Sequence, residues 1–190
     1  MFNLSYAQMD LKTESLNFDS LVHEKMYIIE IDDYQIIKIT KLKDSSYVGN
    51  LINVIWQSND NGDRIKLISK KTKIPSLEAK KIMEELELNE FETIPDGKTI
   101  KGYIVGSGGI TISLTAKKNN TIHKSSYWEP QSNLYYRNTQ IPEILKVQLI
   151  LKIINAAINY EQQYNEFTKA LPDGQYVYGS MSFEKRRRRD

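Results

Sequence analysis

From Met26 to Leu42 the chain reads MYIIEIDDYQIIKITKL, two runs rich in β-branched and aromatic residues on either side of Asp32 and Asp33. A short acidic turn between such runs predicts a hairpin. YVGNLINVIWQ and RIKLIS then flank SNDNGD, whose Asn61-Gly62 is a strong turn signal. The first 70 residues are therefore expected to form a four-stranded antiparallel meander. Pro75 and Ser76 open a helical pattern in which Leu77, Ile82 and Leu86, with Ala79, Met83 and Leu88, make an apolar stripe reaching about Phe91. Beyond the IPDG stop, three strands are expected near residues 99–106, 110–116 and 121–128, with turns at GSGG and KKNN.

Pro142 suits the first position of a helix, and the pattern continues to about Ala170, a span of roughly 40 Å at 1.5 Å per residue. Val147, Ile150, Leu151, Ile154 and Ile158 form one stripe of it, and Leu145, Leu149, Ile153, Ala156, Tyr160, Tyr164 and Phe167 another. With two stripes its first half is apolar over most of its circumference, which predicts a helix sandwiched in the core. QYVYGSMSF then reads as a closing strand. The expected class is α+β: an antiparallel sheet, built as a β-meander, then a helix, then three strands, packed on a long C-terminal helix. Residues 1–20 read as a flexible lead-in, 21–184 as a single domain and 185–190 as a basic disordered tail. NEFETIPDGKTIKGYIVGS and NEFTKALPDGQYVYGS echo each other, and shared turn chemistry explains the likeness without a duplicated unit.

With 40% hydrophobic and 26% charged residues the chain has an ordinary globular composition. Its formal charge of +2 is unevenly spread. Residues 185–190 hold five of the 26 cations and one of the 24 acids, which leaves residues 1–184 with 21 positive and 23 negative side chains. On this count only the tail offers a basic run, so no nucleic acid is expected to bind the body of the protein. The absence of cysteine excludes a disulfide framework, thiolate metal sites and a cysteine nucleophile, and leaves the compartment open. No apolar run reaches the length of a membrane span, because Lys146, Gln148, Lys152 and Asn155 interrupt the best candidate. No transmembrane segment is expected.

The opening MFNLSYAQMD places Ser5 and Ala7 at the positions of small residues that precede a signal-peptidase cut before Gln8. Only MFNL stands ahead of that cut, without a positive start. Two expectations follow: a remnant of an export signal, making the mature protein periplasmic or secreted, or an ordinary terminus on a cytoplasmic protein.

Candidate chemistry is sparse. His23 and His123 are the two imidazoles, there is no H-E-x-x-H pair, and no metal site or cofactor is expected. GSGG lacks the Lys-Ser and the following helix of a phosphate loop, and Ser107 lacks a G-x-S-x-G elbow. Asp32, Asp33, Asp60, Asp63, Asp96 and Asp173 fall at expected turns, where Asp bonds its own backbone. NDNGD has oxygen ligands without the spacing or the closing Glu of a calcium loop. No catalytic residue is assigned.

Twelve tyrosines against five phenylalanines is the more telling balance, since Tyr and Trp join contact area to a polar tip. SSYWEPQSNLYYRN joins a strand to the long helix, and Tyr127, Trp128, Tyr135, Tyr136 and Arg137 are its candidate binding residues. A Tyr-Trp-x-Pro segment followed by a long helix and Leu-Pro-x-Gly-x-Tyr, here Tyr127, Trp128, Pro130, Leu171, Pro172, Gly174, Tyr176 and Gly179, resembles a set of small, uncharacterised exported bacterial proteins. The resemblance covers about the last third of the chain, implies export and carries no activity. The expected function is a non-catalytic binding or interaction protein for a protein or carbohydrate partner, with an immunity or inhibitor protein as one sub-case. The alternative is an exported hydrolase using paired carboxylates. Oligomeric state is not legible.

Overall fold

The computed structural model describes residues 17–137 and 140–186. The expected export remnant, with Ser5, Ala7 and Gln8, and the tail arginines Arg187, Arg188 and Arg189 lie outside the described residues. The meander is present: β1 (His23–Ile31), β2 (Gln35–Leu42), β3 (Tyr47–Ser58) and β4 (Arg64–Ile74) pair in sequence, all antiparallel. The turns fall at Asp32-Asp33 and Asn61-Gly62. The helix α1 (Ser76–Leu88) follows. β5 (Thr111–Lys118) and β6 (Thr121–Trp128) form a hairpin whose β5 pairs with the free flank of β1. After the short α2 (Asn133–Tyr136) come α3 (Pro142–Ile158) and α4 (Tyr160–Lys169), then the hairpin β7 (Gly174–Tyr178) and β8 (Met181–Lys185). The protein is a mixed α+β fold on one eight-stranded antiparallel open sheet.

Pairing registers explain how eight strands fit. β4 lines one flank of β3 from Gly49 to Ser58, so β2 and β7 must share the other. β2 takes Tyr47 to Asn53 of β3 and β7 takes Trp56 to Ser58, where β2 has ended. The Gly179 turn of the last hairpin then meets the β1–β2 turn. Gly179 has φ +53°, its N–H donates to Asp33 Oδ1 at 2.6 Å, and a Cβ there would lie 2.6 Å from Asp32 Oδ2. Asp33 also pairs with Arg64 at 3.0 Å.

Strand alternation divides the core. Tyr27, Ile29, Ile31, Ile37, Ile39 and Leu51 face the helices and join Ala79, Ile82, Met83, Leu86, Val147, Ile150, Leu151 and Ile154. Met26, Ile28, Ile36, Ile52 and Val54 make a second buried cluster, against which Phe18 and Leu67 pack. Burial on both faces is why β1 reads as a nearly continuous apolar run.

Four expectations about individual elements differ from the structure. Residues 99–106 contain no strand; Gly97–Thr99 is a 3-10 turn and the following segment a loop. The edge beside it is the outer flank of β6, whose Ser126 and Trp128 N–H groups go to the Asp96 carboxylate and the Tyr103 hydroxyl rather than to the backbone of a ninth strand. The long helix breaks at Asn159, which takes the left-handed conformation (φ 49°, ψ 51°) between α3 and α4. Its first half is also not sandwiched, because Leu145, Leu149 and Ala156 are exposed. The closing strand is a two-stranded hairpin. The Pro-Asp-Gly echo thus leads to a 3-10 turn and loop in one copy and to β7 in the other.

Candidate functional site

The aromatic loop is built on β6. Segment 94–104 runs along the outer flank of that strand, where Asp96 Oδ2 accepts Ser126 N–H at 3.0 Å and His123 Nε2 meets Ile94 O at 2.6 Å. Tyrosine hydroxyls secure it. Tyr127 donates to Pro95 O, Tyr136 donates to Ile104 O at 3.2 Å, and the Tyr103 hydroxyl accepts Trp128 N–H. Tyr127 is fully buried and Tyr136 nearly so. Burial, first, and the charges of Glu143 and Asp96 push the Tyr127 phenol well above its ordinary range, so it stays a neutral donor.

Of the other three predicted residues, Trp128 joins this anchor through its backbone and Tyr135 touches it through the Tyr136 ring. Trp128 and Tyr135 pair their rings at 4.7 Å, and Arg137 is exposed. The indole lies on the GSGG loop, donating from Nε1 to Gly108 O. A Cβ on Gly106 would overlap the ring, and one on Gly109 would lie 3.0 Å from Nε1. GSGG therefore serves as the bed of Trp128 rather than a hairpin turn. The structure brings Trp128 and Tyr135 together and places Tyr127 and Tyr136 in the core beneath them.

Beside this loop is a feature that the sequence reading did not single out. An open groove of about 820 Å³ lies between Gln131 and Asn133 on one side and the outward face of α3 on the other, ending at Tyr160 and Glu161. Leu145 and Leu149, 45% and 44% exposed, line it with Ala156, at the i, i+4, i+11 spacing of one helix face. Lys152 and Asn155 add polar groups along the same helix. One link holds the loop wall in place: Gln148 Nε2 donates to Pro130 O at 2.7 Å. Tyr160 is 3% exposed, and burial, first, with Glu161 raises its phenol to about 12. The signal for this groove was present as the second apolar stripe of the helix.

A carboxylate cluster sits at the C-terminal end of α1. Lys25 Nζ, buried at the end of β1, lies 2.8 Å from Glu87 Oε1 and 2.6 Å from Glu92 Oε1, and Tyr27 donates to Glu92 at 2.6 Å. Burial alone would raise Glu92, but the bonds from Lys25 and Tyr27 outweigh it and hold the carboxyl below its ordinary range. A hydrolase would need one member of such a pair held above that range. Asp96 bonds its own turn through Lys98 N–H and also accepts Ser126 N–H from β6, while at the Asn61-Gly62 turn it is Asn59 Oδ1 that accepts the N–H groups of Asn61 and Asp63. Among the described residues no three His, Asp or Glu side chains converge on a metal position, and no helix is long and apolar enough to cross a membrane.

Among the described residues the protein is an open-sheet α+β fold in which Leu145, Leu149 and Ala156 of α3 are exposed beside the anchored loop. No protein-family model matches the chain, and no curated protein matches its sequence.

Proposed function

We propose that the protein is a non-catalytic interaction protein whose protein partner inserts apolar side chains between the Gln131–Asn133 wall and α3. One observation carries this reading: Leu145, Leu149 and Ala156 lie exposed on one face of a helix that has already buried a full stripe elsewhere, with Lys152 between the last two. An exposed face of this kind, rimmed by polar groups, suits a partner more than it suits solvent. A protein fits better than a carbohydrate, because sugar binding uses an exposed ring face and the ring lining this groove, Tyr160, is buried. An immunity or inhibitor role would be one instance of such binding, and the resemblance to small exported bacterial proteins would place it outside the cytoplasm.

The reading is tested by Leu145→Asp and Leu149→Asp. Both positions are half exposed, so each variant should unfold within about 0.5 kcal/mol of the wild type. Native mass of the tagged protein recovered from its source cell should show a complex that each substitution weakens by at least about 2 kcal/mol, the size of a hot-spot loss. An unchanged complex in both variants would remove the groove from the account.

A further inference from the structure

The three flanks at which the sheet ends are unequal. The outer flank of β6 is occupied by segment 94–104 through the bonds described above. β8 is five residues long. β4 is 11 residues long, and among the described residues its one strand partner is β3. In an antiparallel strand every second residue turns its N–H and C=O away from its neighbour, so β4 presents a row of such groups over roughly 35 Å. The segment RIKLISKKTKI carries five cations and no acid. Arg64 is engaged by Asp33 and lies over the Trp56 ring. Lys66, Lys70 and Lys73 are exposed and have no ion-pair partner among the described residues.

Their placement narrows what could pair there. Lys66 and Lys70 stand opposite Gln57 and Asn53, on the helix side of the sheet with Ile68 and Ile74. Lys71 and Lys73 stand opposite Ile52 and Asn50, on the other side. A second copy of β4 would set lysine against lysine, and like charges directly across a strand pair are destabilising. Edge lysines are also a common guard against indiscriminate strand pairing. Such a guard repels cationic and apolar strands, and it attracts an acidic one.

We propose that the outer flank of β4 receives an acidic, extended segment of a protein partner as an added strand. Because the lysines fall on both sides of the sheet, that segment carries its acids consecutively rather than at every second position. The surface is separate from the groove at α3.

The probe is a synthetic peptide of Glu, Thr and Val about as long as β4, offered to the full chain labelled for amide resonances. Binding at low salt should shift the amides of residues 64–74. Affinity should fall at least about tenfold in the exposed triple variant Lys66→Ser, Lys70→Ser, Lys73→Ser, the loss expected when charge-assisted contacts are removed. It should also be lost when alternate peptide nitrogens are methylated, and kept in Leu149→Asp, which separates this surface from the groove. Equal binding of the methylated peptide would overturn strand addition. Tighter binding of single-stranded oligothymidylate than of the peptide would replace the acidic segment by a nucleic acid. Peptide shifts confined to other strands, or no binding, would overturn the proposal outright.

Discussion

At the scale of single residues, the least exposed ion cluster lies between β1 and the segment after α1. Lys25 has its pKa lowered by burial and raised more strongly by Glu87 and Glu92, so it stands above 10.5 in the folded state. Glu92 stands below 4.5. A raised lysine contributes stability that is complete below its unfolded value and is lost as pH rises through the folded one. A lowered carboxyl contributes stability present above its unfolded value and lost as pH falls through the folded one. The cluster therefore supports the fold between about pH 4.5 and about pH 10.5. Urea titrations should show an acid-side loss of stability that is smaller in Glu92→Gln. Lys25→Met should cost about 1–3 kcal/mol at neutral pH, less than a fully buried pair because both carboxylates are partly exposed. A Glu92→Gln variant with the wild-type acid limb would contradict the assignment. None of this was legible in the sequence, because Lys25 and Glu87 are 62 positions apart and no local pattern joins them. Turn positions were legible at Asp32-Asp33 and Asn61-Gly62, but only the second turn is held by bonds within its own neighbourhood; Asp33 instead accepts the distant Gly179 N–H and pairs with Arg64.

At the scale of elements, hydrophobic periodicity located the meander, α1 and the β5–β6 hairpin, because each buries an alternating or helical face in its own sequence window. It failed where pairing runs through side chains. Residues 99–106 have strand composition, yet the outward N–H groups of β6 go to the Asp96 carboxylate and the Tyr103 hydroxyl. Leu77 and Leu88, counted in the stripe of α1, are exposed at its ends. The α3–α4 pattern ran on smoothly through Asn159, and only the backbone reveals the break there. Beyond it Tyr164 and Phe167 pack with Ile55, Leu171 and Tyr176, apart from the cluster under α3. Asn tolerates the left-handed conformation and a β-branched residue does not. Asn159→Gly should leave stability within about 0.5 kcal/mol, while Asn159→Val should cost about 1–2 kcal/mol. Equal stability of the Val variant in urea would mean that α3 and α4 can run straight. As for the candidate site, the sequence pointed to the aromatic loop but not to its division of labour. Tyr127 and Tyr136 look alike in sequence to Tyr135, and only packing separates the anchors from the surface ring.

At the scale of the whole molecule, the sheet turns one face to three helices and buries a second cluster on the other, which leaves two conspicuous outlets for binding. One is the apolar face of α3 and the other the cationic flank of β4. The central claim is that the α3 groove holds a protein partner, and site-specific photo-crosslinking in the source cell tests it directly. Benzoylphenylalanine is placed at Leu149, with Leu77, an exposed leucine on α1, as the control position. A discrete adduct is expected at position 149, absent at position 77 and lost when Leu145→Asp is added. The same adducts at both positions, or none at position 149, would contradict it.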